Sequence, residues 1–353
     1  MTTGTLTDLK QRWAELRAGQ PHLRIRNAAQ QLGVSEAELV ATRVGDGVTR
    51  LTPDFKGILC EVSSLGKVMA LTRNDSVVHE RKGTYLNASF DNPHVGLFVG
   101  ADIDLRIFWG PWSSAFAVNE PGKDGDRLSL QFFAGDGEAI HKVYLIEGSD
   151  AAAYAALVEK FKAPDQYVPL EVKPSPAEPA ERPDGTIDVA AFRQGWLDLK
   201  DTHDFHMLTR RHGLSRTQAL RLAPEGNWAV PVDNKALRAI VQEAAARDVP
   251  IMVFVGNKGM IQIHTGPVKN LMDVPEWFNV IDPGFNLHVK EGDIAHSWVV
   301  RKPSVDGTIT ALECFDAKGT QIVQIFGKRK PGIPELEEWR AIVAAKEQEL
   351  KRD

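Results

Sequence analysis

Residues 201–213 read DTHDFHMLTRRHG and are predicted to form a helix. Apolar residues such as Phe205 and Leu208 recur at helical spacing, and the closing glycine is a typical helix end. His203 and His206 are one turn apart, so both imidazoles are expected on the same side of the helix. Either histidine is then placed to bind one metal centre beside it. The alternative is that both only cap or solvate the helix.

The overall composition is that of an ordinary globular protein with two domains. The 353 residues are 43% hydrophobic and 25% charged, enough to bury a sizeable core. The net charge of -5 and the lack of any long Lys/Arg run argue against nucleic acid or anionic lipid as the main partner. No apolar run approaches the roughly 20 residues that span a bilayer, and the start has no basic and then apolar leader. We therefore expect a cytoplasmic protein.

The two cysteines are predicted to be small buried hydrophobes in strands. Cys60 and Cys314 stand alone, and no C-x-x-C pattern occurs. The sequence therefore predicts no zinc knuckle, iron-sulfur site or covalently attached haem.

Strand-like segments fill most of each half of the chain, between helical ends. Three predicted helices precede Val48, and short β-like runs divided by Gly, Asn, Asp and Pro follow, the first at 57–62. Residues 151–162 are again predicted to be helical. Residues 164–186 contain six prolines and little apolar content, which is typical of a linker.

The second half of the sequence repeats the first. Gly33-Val34-Ser35 recurs 180 residues later as Gly213-Leu214-Ser215, and residues 130–137 recur at an offset of 182 as 312–319. Phe98-Val99-Gly100 also matches Phe254-Val255-Gly256, at an offset of 156. We predict an α+β fold with an N-terminal repeat at 1–163, a Pro-rich linker at 164–186 and a C-terminal repeat at 187–353. Each repeat is expected to be a large antiparallel meander with helices on one face.

The two copies differ at the residues that carry chemistry. In this alignment four polar residues are replaced by another residue type in the other copy. His203 aligns with Leu23, His206 with Arg26, Arg216 with Glu36, and Arg106 with Gln262. The histidine-bearing face therefore exists in the second copy only, and one site per chain is expected. The alternative for Arg106 is a plain salt bridge to Asp102 or Asp104.

Five motifs together resemble a known family. They are Asp201-Thr202-His203, Ile103-Asp104-Leu105-Arg106, the turn at 212–216, Arg301-Lys302-Pro303 and the strand at 321–327. In this order, on a duplicated framework, the chain resembles the HemS/ChuS/PhuS type of bacterial cytoplasmic haem-utilisation protein, which traffics or degrades haem. The resemblance covers nearly the whole chain.

The resemblance implies one haem b per chain, held in a cleft. His203 matches the axial iron ligand of the C-terminal repeat, and its other ring nitrogen needs an acceptor. Arg106 matches the arginine on the opposite side, which would hold a small ligand of the iron by hydrogen bonds. The remaining matches are Arg216 and Lys302 for the haem carboxylates, and Phe254, Gln324 and Phe326 around the macrocycle.

Two of these positions depart from the family pattern. Phe326 stands where some relatives carry a tyrosine, so a hydroxyl is missing. His206 stands where an apolar residue is usual, which offers an alternative iron ligand that eases loading or release of haem. The competing interpretation of His206 is an ordinary surface histidine.

Two functions fit the resemblance. The first is a haem carrier in haem uptake and iron acquisition, with a haem importer as donor and a haem oxygenase as acceptor. The second is a haem-degrading monooxygenase in which Arg106 acts at the iron and an external reductant supplies electrons, since no flavin or nicotinamide fingerprint occurs. A haem-sensing DNA-binding protein is disfavoured, because no helix-turn-helix with a basic face is found. The chain is expected to be a monomer or a homodimer.

Overall fold

Ten α-helices, three short 3-10 helices and eighteen strands make up the regular structure of residues 3–122, 125–177, 179–330 and 332–352, the part of the chain that this computed structural model describes. The helices are α1 Thr3–Gly19, α2 Ile25–Leu32, α3 Glu36–Ala41, α4 Phe55–Glu61, α5 Ala151–Phe161, α6 Val189–Leu197, α7 Asp204–His212, α8 Arg216–Arg221, α9 Ala236–Ala246 and α10 Glu337–Leu350. Of the helices described, none has the length and apolar character needed to cross a membrane.

The strands form two antiparallel sheets of nine strands each. They are β1 Val48–Leu51, β2 Gly66–Arg73, β3 Val77–Gly83, β4 Ala88–Ser89, β5 Val95–Val99, β6 Asp104–Phe108, β7 Trp112–Glu120, β8 Arg127–Ala134, β9 Ala139–Ser149, β10 Ala229–Val232, β11 Ile251–Gly256, β12 Met260–Gly266, β13 Leu271–Val274, β14 Trp277–Ile281, β15 Phe285–Lys290, β16 His296–Ser304, β17 Gly307–Phe315 and β18 Gln321–Gly327. The predicted α+β class is confirmed.

The chain divides into two compact units. Unit 1 comprises Met1–Arg73, Glu80–Ala177 and Asn257–Gln262, and unit 2 comprises Asn74–His79, Glu178–Gly256 and Ile263–Asp353. The boundary between them therefore falls within β3 and within β12. Residues just after α5, in the Pro-rich segment, pack on unit 1, where Leu170 is buried against the core formed around α3, β7 and β8.

The strand order of the two units confirms a tandem duplication. Unit 1 contains the run β1-β7-β8-β9-β2 and unit 2 the run β10-β16-β17-β18-β11, so each strand recurs nine strands later. The shorter runs β6-β5-β4 and β15-β14-β13 correspond in the same way. Since hydrogen-bonded neighbours and strand order both repeat, the two units share one topology.

This topology corrects one sequence alignment. β5 pairs with β6 so that Leu97 faces Arg106, and β14 pairs with β15 so that Asn279 faces His288. The counterpart of Arg106 is therefore His288, at an offset of 182, and not Gln262. The match of Phe98-Val99-Gly100 with residues 254–256 was wrong, because three residues typical of any strand end recur by chance.

Helices cover both faces of the long strand run in unit 2, which corrects the prediction of helices on one face. Along β16, Val300 packs with α6, α7 and α8 in one core cluster, whereas Val299 packs with α9 and α10 in another. Successive strand residues point to opposite faces, so the two clusters lie on opposite sides of the strands. The side that carries α6–α8 is called the α7 face below.

Residues 57–62, predicted as a strand, belong mostly to helix α4. Asp54 caps this helix by accepting the backbone N–H of Gly57. The buried Ile58, Leu59 and Val62 follow one another at helical spacing, a pattern hidden in a short apolar run. Cys60 is consequently exposed on α4 and not buried, whereas Cys314 is buried in β17 as predicted.

The predicted helix at 201–213 begins later than expected. α7 starts at Asp204, and residues 198–203 form a turn after α6. The cause is local: the Asp201 carboxylate accepts the backbone N–H of His203, a turn that competes with continuation of the helix. The end is as predicted, with Gly213 at a φ of 63°. Of the two histidines, His203 therefore occupies the N-cap position, and His206 lies within the helix.

Candidate functional site

His203 is an exposed histidine whose ring is held by a carboxylate. Its Nδ1 lies 2.6 Å from Oδ1 of Asp201, and its side chain is 84% exposed. The pKa of Asp201 is lowered, chiefly by the backbone N–H of His203, so the carboxylate is ionised at neutral pH and only accepts hydrogen bonds. Nδ1 therefore donates to the carboxylate, and in the neutral ring the lone pair is on Nε2. Asp201 is the acceptor that the sequence left open.

His206 lies one turn further along, and it too is exposed. Its backbone N–H donates to the carbonyl of His203 at 3.3 Å, and its own carbonyl accepts the Thr209 hydroxyl. The buried residues Phe205 and Leu208 pack α7 against the core, whereas the His206 side chain lies at the surface.

Arg216 and Lys302 converge on one buried carboxylate that sequence reasoning missed. Glu313 of β17 is fully buried and accepts from Arg216 Nε at 2.9 Å and Nη2 at 2.7 Å. It also accepts from Lys302 Nζ at 2.7 Å and from Gln321 Nε2 at 3.0 Å. These four residues are called the Glu313 cluster below.

The charged groups of the Glu313 cluster shift one another's pKa values. Burial disfavours the charged form of Glu313, but Arg216 and Lys302 outweigh burial and lower its pKa to about 2. Burial, and then the charge of Arg216, lower the pKa of Lys302 to about 8, although Glu313 acts in the opposite direction. The cluster therefore holds two cations against one carboxylate at neutral pH.

Phe205 of α7 joins the Glu313 cluster to the histidines. Its buried ring lies 4.6 Å from the guanidinium of Arg216 and 4.7 Å from the ammonium of Lys302. Both distances are within the range of cation–π attraction. Because Phe205 directly precedes His206, the two cations and the start of α7 are held in one assembly.

Half-exposed residues continue the α7 face across β18 and β11. The strand register places Glu313 opposite Gln324, and Gln324 opposite Phe254. The rings of Phe254 and Phe326 have their centroids 5.1 Å apart. All three of Phe254, Gln324 and Phe326 are partly exposed, so this part of the face presents aromatic and amide groups next to the cations.

Arg106, the remaining predicted site residue, belongs to unit 1. On β6 it forms an ion pair with Asp104 and donates to the carbonyl of Leu105 at 3.2 Å. Burial raises the pKa of Asp104, and the charge of Arg106 opposes that shift. The Arg106 side chain is 30% exposed. The pairing with Asp104 is the alternative foreseen from the sequence, and it leaves further N–H donors on the guanidinium.

Seven of the eight predicted residues lie within unit 2. They are His203, His206, Arg216, Phe254, Lys302, Gln324 and Phe326. The residues that sequence reasoning missed are Glu313 and Phe205, and one signal for Glu313 was available: it is the only charged residue in the apolar strand GTITALECF. Among the residues described, no group of three or more His, Cys, Asp or Glu side chains is arranged to hold a metal ion.

Comparison with known proteins identifies the family of this chain. The family model for the haemin-degrading HemS.ChuX domain matches the chain twice, at residues 33–161 and 213–345. The chain belongs to this family. The two matches reproduce the duplicated topology, and they make the protein a haem-utilisation protein of the HemS/ChuS/PhuS type, as its motifs indicated.

Three relatives illustrate the family. The hemin transport protein HmuS of Yersinia pestis is 40% identical over 95% of this chain and 96% of its own. The crystal structure of holo-PhuS, a heme-binding protein from Pseudomonas aeruginosa, has a TM-score of 0.94 and 50% identity, covering 97% of this chain and 99% of that one. ChuS, described as an E. coli heme oxygenase, has a TM-score of 0.87 and 37% identity, covering 96% and 99%.

Proposed function

We propose that this protein binds one haem b per chain on unit 2 and carries it in bacterial haem uptake and iron acquisition. One arrangement supports the proposal: the Glu313 cluster, with two cations and one carboxylate, lies beside a half-exposed aromatic strand face. The N-cap residue of the adjoining helix α7 is the exposed His203, whose Nδ1 is held by Asp201. Haem has an iron that takes an imidazole ligand, an apolar ring and two carboxylates, and these residues suit each part.

Each residue then has a stated role. His203 Nε2 would bind the iron, with Asp201 fixing the ring and making the nitrogen a better donor. Arg216 and Lys302 would hold the carboxylates by charge-assisted hydrogen bonds. Phe254, Gln324 and Phe326 would lie around the macrocycle, and His206 would serve as an alternative ligand during loading or release. When bound, haem would supply an iron centre that accepts a nitrogen ligand from the protein.

The proposed stoichiometry rests on the counterpart residues in unit 1. Glu36 stands at the position of Arg216 and forms a buried ion pair with Lys142, which stands at the position of Gln324. Unit 1 therefore has, at the position of Arg216, a carboxylate that is already paired with a lysine and does not suit a haem carboxylate. Haem b is proposed because the cysteines form no C-x-x-C pair for covalent attachment.

Carriage is favoured by the exposure of the proposed ligand. With 84% of its side chain exposed, His203 is placed to exchange iron without opening of the protein core. The donor in this proposal is a haem importer, the acceptor a haem oxygenase, and the location the cytoplasm. The name of PhuS, a heme-binding protein, agrees with this role for a close relative.

Haem degradation is the second candidate, because ChuS is described as a heme oxygenase. In this case Arg106 would be the catalytic residue, and an external reductant would supply the electrons. The assignment of Arg106 as the arginine on the opposite side of the haem stays a prediction from the family resemblance.

An absorption experiment distinguishes the two functions. The protein is loaded with one equivalent of haem and followed after addition of ascorbate in air, with catalase present to remove peroxide. If the protein is a carrier, we expect a stable Soret band that is lost only when a haem oxygenase accepts the haem. Loss of the band with release of chelatable iron, abolished in Arg106→Leu, would establish degradation instead. No haem binding by the wild-type protein would refute the proposed function.

A further inference from the structure

Glu313 is a buried charge for which neither the sequence motifs nor the proposed iron ligand set provides a role. It is fully buried, yet it is ionised because it accepts two hydrogen bonds from Arg216 and one each from Lys302 and Gln321. Leaving a buried carboxylate in this position is costly unless it is paired in this way. Its persistence in an otherwise apolar strand therefore needs an explanation beyond packing.

The pairing is unbalanced. Among the residues that the structure describes, Glu313 is the only carboxylate within salt-bridge distance of either Arg216 or Lys302. One positive charge remains, and the Arg216 side chain is 25% exposed toward solvent while that of Lys302 is 4% exposed. Such a site favours a further carboxylate, and a ligand can supply it.

We propose that Glu313 is a positioning residue for ligand carboxylates: it holds Arg216 and Lys302 together as a charged pair, and Phe205 links that pair to the start of α7. The inference rests on the proposed function and deepens it, because it assigns the control of carboxylate recognition to one residue that need not touch the haem. The bidentate contact fixes the plane of the Arg216 guanidinium, and the contact with Nζ keeps Lys302 charged.

The charge state of Lys302 gives this role a measurable consequence. The charged groups that face Lys302 are Arg216 from α8 and Glu313 from β17, and α7 contributes the ring of Phe205. The pKa of Lys302 is already lowered to about 8 by burial and by Arg216. Without the carboxylate, its pKa falls further and the ammonium is lost within the neutral range. A neutral amine binds a carboxylate much more weakly than an ammonium does.

The test compares haem binding from pH 6 to 9.5 in the wild type, Glu313→Gln and Glu335→Gln. Glu335 is a matched control, since it is also a buried carboxylate of unit 2 but accepts from Thr310 and Arg340 instead. Haem dimethyl ester, which lacks free carboxylates, is the second ligand. For haem, we expect the pH at which affinity falls to drop by about one unit or more in Glu313→Gln, so that affinity at pH 8 decreases about tenfold.

The outcomes are distinct. Glu335→Gln is expected to keep the wild-type pH profile, and the ester is expected to show no shift in any variant. A folded Glu313→Gln with the wild-type pH profile for haem, or the same shift for the ester, would overturn the inference while leaving haem binding itself intact. Failure of the wild type to bind haem would instead refute the proposed function.

A second variant keeps the test decisive if Glu313→Gln does not fold. Glu313→Gln combined with Lys302→Met removes one cation together with the carboxylate, so the buried net charge stays the same. The double variant is expected to bind haem more weakly at every pH and to lose the decline in affinity near pH 8. Retention of that decline would show that Lys302 is not its source.

Discussion

Asp201 offers the sharpest prediction about the proposed iron ligand. Replacement by asparagine keeps the size and the oxygen that accepts the His203 backbone N–H, but it removes the negative charge opposite Nδ1. In the free protein both side chains are largely exposed, 84% for His203 and 58% for Asp201, so the contact adds only about 0–1 kcal/mol to stability. We therefore expect the melting temperature of Asp201→Asn to stay close to that of the wild type.

Haem binding should respond far more strongly than stability does. A carboxylate that orients a ligating histidine typically contributes about 10–100-fold to metal affinity. Because asparagine retains a neutral acceptor 2.6 Å from Nδ1 in the wild-type geometry, we expect the lower end of this range, about tenfold or ~1.4 kcal/mol. Asp201→Ala, which removes the acceptor altogether, should lie nearer the upper end.

The assay is the rate of haem loss to excess apomyoglobin, followed in the Soret region. Asp204→Asn is the matched control, because Asp204 is the next exposed carboxylate and lies in the first turn of α7. We expect faster loss in Asp201→Asn and the wild-type rate in Asp204→Asn. Equal rates in all three proteins, or equal acceleration in both variants, would refute a role for Asp201 in orienting the ligand.

Three further predictions concern the same region. His206→Ala should leave the Soret spectrum unchanged but slow haem transfer, and an unchanged transfer rate would remove His206 as an alternative ligand. Gly213→Ala should destabilise the protein by about 1 kcal/mol in urea unfolding, since φ is 63° there; an Ala variant as stable as the wild type would contradict this. The pKa of Glu313 is about 2 when folded and 4.5 ordinarily, so the unfolded chain binds more protons between these values. Its contribution to the free energy of unfolding, about 3 kcal/mol, is present above pH 4.5 and is lost as pH falls toward 2. Urea unfolding of Glu313→Gln should therefore show a smaller loss of stability in acid than the wild type. The same loss of stability in both proteins would exclude this contribution of Glu313.

Much of the fold could be predicted because the duplication leaves local signals. The turn GVS recurs as GLS 180 residues later, and the α+β class follows from strand-like runs between helical ends. What failed was short and local. A match of FVG in two strands gave a wrong register for Arg106, and residues 57–62, whose apolar residues have helical spacing, were taken for a strand. In both cases a few residues fit two patterns, and only strand pairing or a cap decides between them.

The candidate site was predictable where a residue type alone carries the chemistry. His203, Arg216 and Lys302 stand out as donors for iron and carboxylates, and the structure places them in one unit. Glu313 did not stand out, because its meaning depends on partners 97 and 11 residues away. Such contacts are set by sheet register and helix docking, which periodicity does not encode. Phe205 was foreseen only as an apolar helix residue, since its contact with two cations is a tertiary property.

An optical titration can show whether unit 2 binds haem through His203. Haem is added to the wild type and to His203→Ala, and the difference absorption in the Soret region is followed to saturation. We expect an end point of one haem per chain for the wild type, and a shifted Soret band with much weaker binding for His203→Ala. An identical spectrum and end point in His203→Ala would contradict binding of haem through His203.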